Sequence, residues 1–112
     1  MKNAYFALVA LFVCSTSIAA VPNGETLFED NCSVCHGPRG MGGSAPKLVG
    51  DASEWKAKLF ERAVLTGLDD HGKPLKVPMP HWKDASFKSD NGVAPSKAEI
   101  DAIQHYLHTH KK

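Results

Sequence analysis

Residues 32–36 read Cys-Ser-Val-Cys-His, and this spacing of two thiols and an imidazole suits one particular chemistry. Two cysteines separated by two residues can add to the two vinyl groups of one haem. A histidine directly after the second cysteine lies where its imidazole can bind the iron. The motif therefore predicts one haem c, covalently attached through Cys32 and Cys35, with His36 as an iron ligand.

Other uses of a Cys-x-x-Cys pair require features that the sequence does not have. The usual zinc sites need a second ligand pair at similar spacing, and the only other cysteine is Cys14. A thioredoxin-like dithiol lies in a βαβ pattern, and no strand-like run precedes Cys32. A structural disulfide would leave His36 unexplained.

Residues 1–20 have the layout of a secretory signal peptide. Lys2 supplies a positive charge, residues 4–13 are apolar, and the residues up to Ala20 are mostly small. The apolar run is shorter than the roughly 20 residues that span a bilayer, so we expect no stable membrane insertion after the signal is removed. Cys14 would be discarded with the signal. Because bacteria attach c-type haem outside the cytoplasm, we expect a periplasmic protein.

Residues 21–112 would then form a single domain of 112 − 20 = 92 residues. A chain of this size has a marginal core of its own, which a buried haem would complete. The chain has 13 basic and 12 acidic side chains, and loss of Lys2 leaves 12 of each. This balance lacks the basic patch that nucleic-acid binding requires, so no nucleic-acid partner is expected.

The helix signals predict an all-α fold. Asn23 is a good N-cap for a first helix that runs into Cys32. A second helix is predicted over residues 53–66 and ends at Gly67. Its predicted face carries Trp55, Leu59, Ala63 and either Val64 or Thr66. The last helix follows a capping box, Ser96 with Glu99, and has an apolar stripe formed by Ile100, Ile103, Tyr106 and Leu107. No alternating run is long enough for a convincing strand.

From residue 21 onward, the chain resembles a class I c-type cytochrome over nearly its whole length. Three segments carry the resemblance: Gly24-x-x-x-Phe28 before the cysteine motif, Pro-Lys-Leu-Val-Gly at 46–50, and Met-Pro-His-Trp at 79–82. The resemblance implies the small cytochrome c fold, with three or more helices around one covalently bound haem. It also implies that the first and last helices cross closely, with Gly24 and Phe28 facing Tyr106.

The second axial ligand is left open between two residues of one loop. Met79 lies between Pro78 and Pro80, which stiffen an extended backbone, and the resemblance implies that this segment delivers the sixth ligand. His81 is two residues away, and in an extended segment such side chains point the same way. Ligation by two histidines would lower the reduction potential relative to a His/Met pair.

The remaining methionine and histidine candidates are less well placed. Met41 lies only five residues beyond His36, so its path to the opposite haem face would be taut. His71 lies in a polar turn. The last helix carries three more histidines near its negative end, where a metal or partner role is the alternative: His105, His108 and His110.

The resemblance also implies the surroundings of the haem. The carbonyl of Pro46 would accept a hydrogen bond from His36, which orients the ring. The pocket would be lined by Leu48, Trp55, Leu59, Leu65, Val77 and Trp82. Trp82 and Arg62 are candidate partners of the haem propionates.

Together these features predict a periplasmic monohaem electron carrier rather than an enzyme, with His36 and Met79 bound in both Fe(II) and Fe(III). Its partners would be redox proteins such as a dehydrogenase, a reductase or a terminal oxidase. Residues 64–82 also resemble cytochromes attached to dehydrogenases, so a subunit or dedicated electron acceptor of such an enzyme is the alternative. A haem enzyme or gas sensor is a third reading, and it requires an iron position that Met79 leaves open.

Overall fold

The computed structural model describes residues 21–76 and 78–109, in which four α-helices are joined by loops and short 3₁₀ turns. The helices are α1 (Gly24–Asn31), α2 (Ser33–His36), α3 (Ala57–Thr66) and α4 (Lys97–Thr109), and the 3₁₀ turns are Pro38–Gly40, Ala52–Glu54 and Trp82–Asp84. Within these residues, one isolated β-bridge joins Leu68 and Pro74. The all-α prediction is confirmed.

Some expectations fall on residues outside the described ranges. They concern the signal peptide with Cys14, and the side chains of Val77 and His110. Within the described part, no helix has the length and apolar character needed to cross a membrane.

Two of the predicted helix starts are confirmed by their capping bonds. The Asn23 side chain accepts a hydrogen bond from the Thr26 N–H at 3.1 Å, which satisfies one of the free donors at the start of α1. At α4, the Ser96 hydroxyl accepts from the Glu99 N–H at 3.1 Å, and the Glu99 carboxylate accepts from the Ser96 N–H at 2.9 Å. This reciprocal pair is a capping box.

Helices α1 and α4 cross in close contact, as the resemblance implied. A Cβ atom on Gly24 would collide with the backbone carbonyl of Ala102, so only glycine permits this approach. One turn further along α1, the rings of Phe28 and Tyr106 lie 5.9 Å apart between centroids and are tilted by 43°. The contact positions α1 in the fold, and with it the cysteine motif that starts directly after the helix at Cys32.

The core lies between α1, α3, α4 and the loops that connect them. The predicted stripe of α4 is fully buried, and Phe28 has no exposed surface. Loop residues complete the core, notably Phe87, which is 1% exposed. The rings of Phe87 and Trp82 form a T-shaped pair with 4.9 Å between their centroids. The burial of Phe87 is not predicted by its sequence position, because it stands alone in a polar loop.

The prediction of one helix over residues 53–66 was wrong at its start. A 3₁₀ turn ends at Trp55, Lys56 is extended, and α3 begins at Ala57. The Gln104 side chain donates to the carbonyl of Trp55 at 2.8 Å and to that of Ala52 at 3.2 Å. These bonds stabilise the extended backbone at Trp55, where a continuous helix is interrupted. Phe60 and Ala63, rather than Leu59, form the buried face of α3.

The loop before α4 brings two carboxyl groups together. The carboxyl groups of Asp90 and Glu99 lie close enough to interact. This interaction, with a smaller contribution from burial, raises the pKa of Asp90 above its usual value.

Gly24→Ala is expected to destabilise the protein by pushing α1 away from α4. The added methyl group meets the Ala102 backbone, which cannot move without shifting the helix. We expect a loss of about 1–3 kcal/mol in the free energy of unfolding, measured by denaturant titration. Ala98→Val, at an exposed position of α4, is the control. An unchanged stability of Gly24→Ala would contradict the close crossing.

Asp90→Asn is expected to raise the thermal midpoint at about pH 7 and to change it little below about pH 4. A carboxyl whose pKa is raised by folding contributes stability at low pH, and this contribution is lost as the pH rises through the raised pKa. The amide stays neutral and can still donate to Glu99. Asp30→Asn, at an exposed position of α1, is the matched control. A midpoint of Asp90→Asn that is lowered at neutral pH would contradict the raised pKa of Asp90.

Candidate functional site

The cysteine motif lies at the junction of α1 and α2. Cys32 is the C-cap residue directly after α1, and its N–H donates to the Phe28 carbonyl at 2.8 Å. Its own carbonyl accepts from the N–H groups of Cys35 at 3.2 Å and His36 at 3.0 Å. One short turn therefore presents both thiols and the imidazole. The two cysteines are free thiols and are not joined to each other.

The electrostatics of Cys32 argue against a redox-active dithiol. Burial, with smaller contributions from Cys35 and Glu29, raises the pKa of Cys32 to about 12. Reactive Cys-x-x-Cys dithiols have lowered pKa values, so this thiol stays protonated at neutral pH. Within the described residues, the group of potential metal ligands that lies close enough to bind an ion is Asp69, Asp70 and His71, which includes neither cysteine. A zinc site on the cysteines therefore finds no support.

His36 is oriented by Pro46, the first residue of the segment 46–50 that carries the family resemblance. Its Nδ1 lies 2.8 Å from the Pro46 carbonyl, as expected. With that nitrogen donating, the other ring nitrogen, Nε2, carries the free lone pair that a metal ion requires.

The loop from residue 37 to residue 46 brings Pro46 to the histidine. It is closed by hydrogen bonds from the Gly42 N–H to the His36 carbonyl and from the Ala45 N–H to the Cys35 carbonyl, both at 2.8 Å. Gly37 has a positive φ of 79°, and a Cβ there would collide with the Gly42 carbonyl. The glycine is thus required both by the backbone angle and by the close approach of the chain.

The two methionines in the described residues occupy different environments. Met41 is half-buried and packs against the hydrophobic core, which agrees with its interpretation as a loop residue. Met79 is also half-buried, and it lies between the exposed Pro78 and Pro80.

The competing ligand candidate, His81, is exposed, and one side of its ring packs against Gly67 at the end of α3. A Cβ on Gly67 would collide with the His81 imidazole, including its Nε2 atom. The ring of His81 is therefore in contact with the backbone of α3.

Several predicted pocket residues are half-buried and pack on the core from its outer side. Trp55 also donates from Nε1 to Asp51 at 3.2 Å, and Leu59 is half-buried outside this core cluster. The residues that contact the core in this way are Leu48, Trp55, Leu65 and Trp82. Sequence reasoning missed Gln104, which positions Trp55. The signal was a polar residue placed within the apolar stripe of α4.

A covalently attached haem fits the residues that the structure brings together. Two thiols and an oriented imidazole lie on one turn, and half-buried apolar side chains could cover a flat apolar ring. Arg62 provides a further observation, because its Nη2 donates to the Asp69 carbonyl at 2.7 Å while its buried Nε has no acceptor. A carboxylate such as a haem propionate would supply that acceptor.

Comparisons with known proteins agree with this chemistry. Residues 21–111 match the profile of the family described as Cytochrome c. A search among curated proteins found no match.

Among solved structures, the chain is similar to "Dihydro-heme d1 dehydrogenase NirN in complex with DHE", with 28% identity and a TM-score of 0.53, over 77% of this chain and 16% of that one. It is also similar in fold to the c-type cytochrome XoxG from Methylobacterium extorquens AM1, with 22% identity and a TM-score of 0.52, over 75% of this chain and 47% of that one. The chain therefore spans less than half the length of either structure.

Gly37→Ala is expected to destabilise the protein more than Gly50→Ala. Both glycines have positive φ, but a Cβ on Gly50 would meet nothing within 4 Å, whereas on Gly37 it meets the backbone of Gly42. We expect a loss of about 1–2 kcal/mol for Gly50→Ala and roughly 1–3 kcal/mol more for Gly37→Ala, measured by denaturant unfolding. Equal losses would show that the tight loop beneath His36 is not formed.

Proposed function

The chain belongs to the cytochrome c family, and from this membership we propose that it is a periplasmic carrier of single electrons. The family binds haem c covalently through a cysteine pair, which in this chain is Cys32 and Cys35. When bound, the haem iron supplies a centre that accepts and releases one electron at a time. The expected signal peptide at residues 1–20 supports export, and a mature N-terminus near residue 21 would test it.

The observation that carries this proposal is the hydrogen bond between His36 Nδ1 and the Pro46 carbonyl. It selects the tautomer whose Nε2 can bind iron and prevents rotation of the ring. It also increases the basicity of the ligand, which stabilises the oxidised state. His36 is therefore the first axial ligand in our proposal.

Met79 is the second axial ligand in our proposal. Its thioether is a soft ligand, and the two flanking prolines restrict the backbone that carries it. His81 is less suited, because its ring packs against the end of α3. Met41 is less suited, because its side chain packs on the core. Two filled axial positions let the iron change oxidation state without gaining or losing a ligand.

A partner protein can approach from the cysteine side of the site. Val34, between the two cysteines, is 84% exposed, and Cys35 is exposed as well. We infer that redox proteins exchange electrons with the haem from this side, among them a dehydrogenase, a reductase or a terminal oxidase.

A second proposal is that the chain serves one dehydrogenase as its cytochrome subunit or dedicated electron acceptor. It is supported by the similarity to part of a chain named as a dehydrogenase. Light scattering on the native periplasmic form, combined with an assay for dehydrogenase activity in the same fraction, distinguishes the two proposals. A monomer that is reduced at similar rates by several donors favours the general carrier.

Met79→Ala is expected to abolish the near-infrared charge-transfer band between sulfur and ferric iron. The band requires a thioether on the iron, so it should be present in the wild type and in Met41→Ala. The measurement is an absorption spectrum of the oxidised, purified holoprotein. A wild type without the band, or one that binds cyanide readily in place of a ligand, would contradict ligation by Met79.

A further inference from the structure

The segment that carries Met79 begins and ends at the same residue of the fold. At its start, the Leu75 N–H donates to the Gly67 carbonyl at 2.8 Å. At its end, the His81 ring packs against the Cα atom of Gly67. We call these three residues, Gly67, Leu75 and His81, the Gly67 junction.

The position of Gly67 is fixed by the end of α3. It is the C-terminal cap of α3, it is buried, and its N–H donates to the Ala63 carbonyl at 3.0 Å. Its φ of 72° lies in the left-handed region, which is usual for a glycine that ends a helix. The helix terminus alone explains a glycine here, but it does not explain why a histidine ring lies against it.

The two contacts with Gly67 differ, because Leu75 forms a backbone hydrogen bond and His81 makes a side-chain packing contact. On the Leu75 side, the chain is also fixed by the turn at residues 69–73, where the Asp69 carboxylate accepts the N–H groups of His71 and Lys73, both at 2.8 Å. On the other side, the contact with Gly67 comes from the His81 side chain. The His81 carbonyl then accepts the Asp84 N–H at 3.0 Å and begins the turn that presents Trp82.

We propose that His81 is a positioning residue, which keeps Met79 at the iron by closing its segment against Gly67. This inference rests on the proposed ligation by Met79. Closing a short loop at both ends reduces the conformations open to the residues between them. Without the His81 ring, the contact between this end of the segment and Gly67 is lost, and Met79 leaves the iron more often.

The test is the rate at which cyanide binds to the ferric holoprotein at a fixed neutral pH, since cyanide must wait for the methionine to leave. For His81→Ala we expect a rise of about tenfold or more, which corresponds to losing roughly 1.4 kcal/mol of loop closure. His81→Phe keeps a flat ring and should restore a rate close to that of the wild type.

A second pair of variants tests the other partner. Gly67→Ala should displace the His81 ring and accelerate cyanide binding, whereas Gly72→Ala should not. Gly72 also has a positive φ, of 77°, but a Cβ there meets nothing within 4 Å. The pair therefore separates contact with the ring from strain in the backbone.

The outcomes distinguish a failure of the positioning role of His81 from a failure of the proposed ligation by Met79. If the wild type shows the sulfur-to-iron band but His81→Ala and Gly67→Ala bind cyanide at the wild-type rate, the positioning role of His81 is wrong. If the wild type lacks the band, ligation by Met79 itself is wrong. If the wild type lacks the band and His81→Phe becomes accessible to cyanide like His81→Ala, His81 is a ligand.

Discussion

The close crossing of α1 and α4 at Gly24 determines where the chemistry of this protein can take place. Because the Ala102 carbonyl lies where a side chain would be, the two helices approach along their backbones. Phe28 and Tyr106 then pack one turn further on. The cysteine motif follows directly at the end of α1, so the positions of both thiols and of His36 depend on this contact.

After the end of α1, the path of the chain is determined by contacts between backbone atoms rather than by the packing of large side chains. The loop between Gly37 and Pro46 passes close to itself, and the absence of a Cβ at Gly37 allows this approach. The result is a carbonyl placed 2.8 Å from His36 Nδ1. This hydrogen bond forms without large side chains packed around it. That suits a small domain whose hydrophobic core is marginal without a ligand.

Features that depend on neighbouring residues could be predicted from the sequence. The caps at Asn23 and Ser96, the buried stripe of α4 and the glycine that ends α3 all follow from local rules. The Pro46 contact with His36 could be expected only through the family resemblance. The start of α3 could not be predicted, because Gln104, far away in the sequence, binds the carbonyl of Trp55. Phe87 was missed for the same reason, since its burial depends on distant partners.

The two sides of the proposed iron site are built in different ways. His36 is tied to the chain that precedes and follows it, through the cysteine turn and through Pro46, so its position follows from short-range structure. Met79 lies in a segment whose ends meet at Gly67, far from the cysteine motif in the sequence. A ligand fixed only through such a loop has more freedom than one fixed by a helical turn. Any exchange of ligand at the iron is therefore expected on the Met79 side, where the proposed closure at the Gly67 junction would limit how often the loop opens.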